Sequence, residues 1–65
     1  MIETLNEKRE LADKIIETEE WVDVETIQYG PYNIVIYNAR TEREIQLRPY
    51  DTEDDIRAIL ENSYK

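Results

Sequence analysis

The side chains in this chain with types and spacing suited to chemistry are carboxylates, and they crowd into one run. Asp51, Glu53 and Asp55 put an acid at every second position, as a calcium-binding loop does in its first half. The pattern then breaks. The sixth position is Ile56, where the sharp turn of such a loop needs glycine, and the twelfth is Asn62, where a bidentate glutamate belongs. The same residues have a simpler use. Thr52 with Asp55 three positions on matches a helix capping box, and acids in a first turn suit the positive end of a helix. The run is expected to start a helix, with no metal bound.

Catalysis has few other starting points. The chain has no histidine and no cysteine, so the usual general base and the usual thiolate nucleophile are missing. Ser63 has no neighbour in sequence that could activate it. Paired carboxylates hydrolyse glycosides only across a cleft that holds the sugar between them, and 65 residues leave little room for one. The expectation is a protein that is not an enzyme and needs no cofactor.

The elements that carry these side chains follow from hydrophobic period. Residues 2–20 lack glycine and proline, and Ile2, Leu5, Ala12 and Ile16 recur at close to a helical spacing, widened by Leu11 and Ile15. Glu3, Glu7, Glu10 and Glu17 line the opposite side, and Glu10 with Lys14 makes a favourable i,i+4 pair. Glu19 and Glu20 sit where a helix end prefers cations, so helix gives way to strand near Trp21. Residues 22–29, 32–38 and 43–48 read as strands, the middle one the richest in β-branched and aromatic side chains. Turns fall at Tyr29-Gly30-Pro31-Tyr32 and at 39–42, and Pro49 closes the third strand. A second helix over 52–64 repeats Ile56, Ile59, Leu60 and Tyr64 at helical spacing. The fold class is α+β: one domain, α-β-β-β-α, a three-stranded antiparallel meander with both helices on one face.

Register can be predicted as well. Centring the second hairpin on Arg40-Thr41 sets Ile36 opposite Ile45 and Ile34 opposite Leu47. Centring the first on Gly30-Pro31 sets Ile27 opposite Ile34. All five apolar residues then share the covered face. The opposite face holds Val24, Thr26, Asn33, Val35, Tyr37, Glu44, Gln46 and Arg48, with nothing left in the sequence to cover it. Val24, Val35 and Tyr37 are therefore candidates for an interface there.

Charge limits the partners. Sixteen Asp and Glu against eight Lys and Arg give a net charge of −8, of which residues 1–20 hold −4 and residues 51–65 hold −3. Such a surface repels nucleic acid and anionic lipid head groups. No apolar stretch approaches the ~20 residues that span a bilayer. Met1-Ile2-Glu3-Thr4 has neither the basic region nor the apolar run of a signal peptide. The lack of cysteine fits a reducing compartment, so the expected location is cytoplasmic. Arg40, Arg43 and Arg48 are offset by Glu42 and Glu44, as on many edge strands.

In length, charge and element order the chain resembles the small acidic proteins that phages carry against bacterial defences, the anti-CRISPR and DNA-mimic proteins. Some anti-CRISPRs that block Cas9 have a helix, a three-stranded antiparallel sheet and further helix, the order read here from residues 2–20, 22–48 and 52–64. No residue motif is shared. The resemblance implies a stoichiometric inhibitor that binds a protein whose basic surface normally takes nucleic acid. From the residues, the contact candidates are Glu3, Glu7, Glu10 and Glu17 on the first helix, then Asp51, Glu53, Asp54 and Asp55. The alternative is a self-associating or adaptor module that uses the uncovered sheet face, as a homodimer or with another protein.

Overall fold

A computed structural model describes residues 4–65 of the chain; the expected positions of Ile2 and Glu3 lie outside them. The order is α1 (Leu5–Thr18), β1 (Val24–Gln28), β2 (Ile34–Asn38), β3 (Arg43–Leu47) and α2 (Glu53–Ser63). The strands form one antiparallel sheet in the order β1-β2-β3. Both helices pack on one face of it. Their buried stripes, Ala12 and Ile15 from α1 and Ile56, Ile59 and Leu60 from α2, close over Ile34, Ile36 and Leu47. Leu5, Leu11, Ile16, Trp21, Val24 and Ile45 fill the margins.

Each helix starts on a side-chain cap. The Thr4 hydroxyl accepts from the Glu7 N–H at 3.2 Å, satisfying a first-turn donor of α1. At α2 the capping box is complete: Asp55 N–H donates to Thr52 Oγ1 at 3.2 Å, and Thr52 N–H donates to Asp55 Oδ2 at 3.0 Å. At the far end, buried Asn38 ties the second hairpin to the end of α2. Its amide nitrogen donates to Ser63 Oγ at 3.1 Å, and its carbonyl oxygen accepts from the N–H groups of Arg40 and Thr41.

The β2–β3 register is the predicted one, with Ile36 opposite Ile45 and Ile34 opposite Leu47. The β1–β2 register is shifted by one residue. Ile27 lies opposite Val35, and Thr26 opposite Ile36. The reason is the turn. Tyr29 N–H donates to Asn33 O at 2.7 Å, which leaves three residues, Gly30 to Tyr32, in the loop instead of two. Gly30 takes φ +109°, a conformation that other residues rarely adopt. Because side chains alternate, the shift turns all of β1 over. Thr26 and Gln28 face α1, where Arg9 donates to both (3.4 Å and 2.8 Å) and the Thr26 hydroxyl donates to Asp13 at 2.7 Å. Ile27 joins the uncovered face.

This register makes a direct test. Ile36→Ala should cost about 2–5 kcal/mol, a large part of the total stability of so small a domain. Ile27→Ala, on the uncovered face, should cost less than half as much. Urea unfolding followed by circular dichroism measures both.

Candidate functional site

The acidic surface begins with the way α1 sorts its charges. With Ala12 and Ile15 pressed into the core, helical spacing turns Glu10 and Glu17 directly away from it, with Glu7 and Asp13 to either side. All four are exposed. The cations are arranged differently. Lys8 is buried at 9% exposure, and half-buried Arg9 is held over β1 by Thr26 and Gln28. Of the three basic residues in α1, only Lys14 is exposed on the outer side. Glu3 lies outside the described residues.

The C-terminus of α1 adds two more acids. Trp21 N–H donates to Ile16 O at 3.1 Å and Glu20 N–H to Glu17 O at 3.4 Å, the paired bonds of a Schellman cap. Such a cap wants glycine at its left-handed position, but Glu20 occupies it at φ +57°. The two other non-glycine residues with positive φ among the described residues are Asp23 and Glu42, also acidic. Glu19 is tied down. Arg57 donates to it at 2.7 Å and the Trp21 indole at 3.1 Å, and these bonds hold its carboxyl below the ordinary 4.5. The Glu19–Arg57 pair joins the two helices, a link the sequence alone did not suggest.

The acids around the start of α2 divide by what holds them. Asp51 was expected to contact a partner, but it is fully buried. Its carboxylate accepts from Arg48 N–H at 2.8 Å, from Arg48 Nε at 3.0 Å and from a terminal guanidinium nitrogen at 2.9 Å. It is the staple of the β3–α2 turn and has no surface to offer. Asp55 is exposed but engaged in the cap, and its bonds from Thr52 hold its pKa below the ordinary 3.8. Glu53 and Asp54 lie 3.7 Å and 3.4 Å from Arg57, pairs too exposed to bind either acid tightly. Asp54, its side chain 96% exposed, and Glu61 two turns later point outward. Asp13 and Glu61 escaped the sequence reading, although both stand on the polar side of their helical repeat.

The uncovered sheet face also differs from expectation. Val24 is not on it. The β1 shift sets Val24 on the helix side, packed against the core. Ile27 takes its place beside Val35 and Tyr37. Val35 is only 7% exposed although no helix covers it. Tyr29 supplies the explanation: its hydroxyl, from the end of β1, donates to Glu44 on β3, so the side chain reaches across the middle strand. That bond raises the tyrosine pKa above its ordinary 10, because a phenolate there would face a carboxylate. The face that remains is a small apolar strip between Glu25 and Glu44.

The concavities among the described residues include a notch of about 200 Å³ at Asp23, Val24, Glu25 and Ala39, and a groove of about 390 Å³ lined by Thr4, Leu5, Asn6, Pro31, Tyr32 and Pro49. Among the described residues, no group of three carboxylates is placed to hold a metal ion, and no helix is long and apolar enough to cross a membrane. No protein-family model, curated protein or solved structure matches the chain.

Two of these carboxylates titrate with a defined sign. The pKa values of Glu19 and Asp55 are depressed in the fold, so the stability they add is present above the ordinary values and is lost as pH falls through the folded ones. Melting temperature should therefore fall as pH drops below the ordinary 4.5 and 3.8, and less steeply in Asp55→Asn, whose cap does not titrate. Buried Asp51 predicts a larger effect. Asp51→Ala, which leaves the Arg48 N–H without its acceptor while the half-exposed guanidinium turns to water, should cost about 1–3 kcal/mol by urea unfolding at neutral pH.

Proposed function

We propose that this protein is a non-enzymatic inhibitor that binds a nucleic-acid-handling protein through the acidic outer surface of its helices, in the manner of a DNA mimic. The observation that carries this reading is the sorting of charge on α1. Glu7, Glu10 and Glu17 face water, whereas Lys8 is buried and Arg9, together with Asp13, is bonded to β1. A rigid helix then presents carboxylates with one exposed cation among them. Asp54 and Glu61 continue the negative surface on α2. A basic groove shaped for phosphates would meet fixed negative charge at no ordering cost to the scaffold.

The left-handed acids support the same reading. Glycine at position 20 would relieve the strain of φ +57°, and a neutral residue would suit the negative helix end better. The chain carries glutamate there instead. Residues held against local preference are a signature of use, here the use of charge.

The reading is tested by measuring displacement of duplex DNA from a panel of basic nucleases and nucleoprotein effectors across a salt series. For a true target, affinity should fall at least tenfold between about 0.05 and 0.2 M salt. The double variant Glu10→Lys/Glu17→Lys should bind at least tenfold more weakly with an unchanged circular dichroism spectrum. Affinity that stays flat with salt excludes the mimic. Glu20→Gly separates stability from function: it should stabilise the fold by about 1 kcal/mol in urea while weakening the target complex.

A further inference from the structure

The open edges of the sheet follow from its hydrogen bonds. In an antiparallel pair, residues that exchange backbone bonds alternate with residues that do not. Tyr29 N–H donates to Asn33 O and Ala39 N–H to Asp23 O, each at 2.7 Å, so the odd-numbered residues of β2 bond to β1. Its even-numbered residues therefore bond to β3, through Ile34–Leu47, Ile36–Ile45 and Asn38–Arg43. The N–H and C=O groups of Glu44 and Gln46 are left pointing outward from the sheet. No hydrogen bond among the described residues reaches these four groups, and both residues are exposed. The next outward position, Arg48, is closed. Its N–H donates to Asp51 at 2.8 Å, and its C=O accepts from the Asp51 N–H at 3.1 Å.

We infer that β3 is a self-association edge whose occupant is β3 of a second copy, joined antiparallel across a two-fold axis into one continuous sheet. Two open residues allow one full register. Centred on Ile45, Glu44 of each copy bonds to Gln46 of the other, and all four groups of each chain are paired. Centring on Gln46 would call on Arg48, whose groups are taken. Centring on Glu44 would set glutamate against glutamate. In the Ile45 register the side chains agree with the backbone. Glu44 faces a glutamine amide, Arg43 faces Leu47, and half-buried Ile45 meets its own copy in the closer, non-bonded kind of pair. The charges that guard many edge strands thus meet no like charge directly opposite.

The helices favour this edge over β1. Pairing through an edge sets the helix above it beside its own copy. Over β1 lies α1, bonded there by Arg9 and Asp13, so pairing β1 would bring two rows of exposed glutamates together. Over β3 lies α2. Its Glu53 and Asp54 stand beside Arg57, which bonds Glu19, so they belong to the flank nearer α1. By helical spacing the other flank carries Asp55, Ala58 and Asn62, and Asp55 is closed into the cap. Residues 39–50 hold three bases and two acids, the reverse of the balance in the whole chain. Five-residue strands fall short of the roughly 20–30 residues a side of a standard interface, so the dimer is weak, with Kd on the order of 0.1–1 mM. The rest of each −8 chain still repels its copy, so salt should tighten the dimer severalfold. That is the opposite sign from contact through the acidic surface, and the measurement needs no target, so the two proposals fail independently.

Sedimentation equilibrium of the full chain up to about 1 mM, in low and in ~0.5 M salt, measures the association, and amide hydrogen exchange locates it. The expected result is a monomer–dimer equilibrium that tightens with salt. Exchange at the Glu44 and Gln46 amides should slow severalfold from dilute to concentrated protein, while Thr26, outward on β1, exchanges as before. Gln46→Glu sets glutamates opposite each other twice and should weaken the dimer about tenfold. The swap Glu44→Gln/Gln46→Glu keeps the net charge and should restore the dimer to within about threefold of the wild type. Both positions are exposed, so both variants should keep the wild-type circular dichroism spectrum. A chain that stays monomeric at the highest concentration and salt overturns the proposal. So does a dimer that salt weakens, one that protects Thr26 in place of Gln46, one indifferent to Gln46→Glu, or one that the swap fails to restore.

Discussion

Everything in this domain rests on the burial of a single sheet face. Ile34 and Ile36 on the central strand, with Leu47 beside them, have at most 1% of their surface exposed, and both helices close over them. No disulfide assists, since the chain has no cysteine. A chain of this size buries only about 60% of its unfolded surface, so its margin depends on a few well-packed aliphatic side chains. The polar groups at the rim support that packing. Asn38 and Ser63 fasten α2 to the second hairpin, Asp51 fastens it to β3, and Arg57 with Glu19 joins the helices.

The same packing determines where the charge goes. Once Ala12 and Ile15 are committed to the core, helical geometry directs Glu10 and Glu17 outward without further instruction. The inward turn of Arg9 has a separate cause. Thr26 and Gln28 lie on the helix-covered face, and their polar groups need partners beneath α1. Arg9 and Asp13 supply them. Thus the β1 register, which looks like a detail of one hairpin, ties Arg9 and Asp13 together to the sheet and leaves Glu7, Glu10 and Glu17 as the acids of the outer side.

What the sequence revealed follows from the strength of each local signal. The order of elements, the β2–β3 register and the Thr52–Asp55 capping box were legible because Ile34, Ile36, Ile45 and Leu47 pair in only one sensible way, and because capping is decided within four residues. The β1 register was not legible. A two-residue and a three-residue loop both fit Gly30-Pro31-Tyr32, and the three-residue loop is the one that also lets Thr26 and Gln28 meet Arg9 and Asp13. Ile27 misled for the same reason: an isoleucine belongs inside unless two polar neighbours find partners there first. Asp51 looked like one acid among several. Its burial depends on an arginine three residues earlier and on the tightness of the turn, and composition reports neither. The outward position of Glu7, Glu10 and Glu17 could be read directly from helical period.

Screening determines whether these surfaces act separately. The molecule extends 35 by 23 by 16 Å, and the Debye length at 0.1 M salt is about 10 Å. A partner at one surface therefore responds mainly to the charges within that distance, and hardly to the net −8 of the whole. The outer side of α1 is negative at that range because its carboxylates are exposed and two of its three cations are turned inward. The groove end is less negative: its lining among the described residues carries no charge and Asp51 is paired with Arg48, with exposed Glu7 standing beside it. Below about 0.01 M salt the Debye length reaches 30 Å, comparable to the long axis, and the distinction dissolves. The net charge then governs every approach. A small domain with one core can thus hold two electrostatically distinct surfaces only at ionic strengths high enough to separate them.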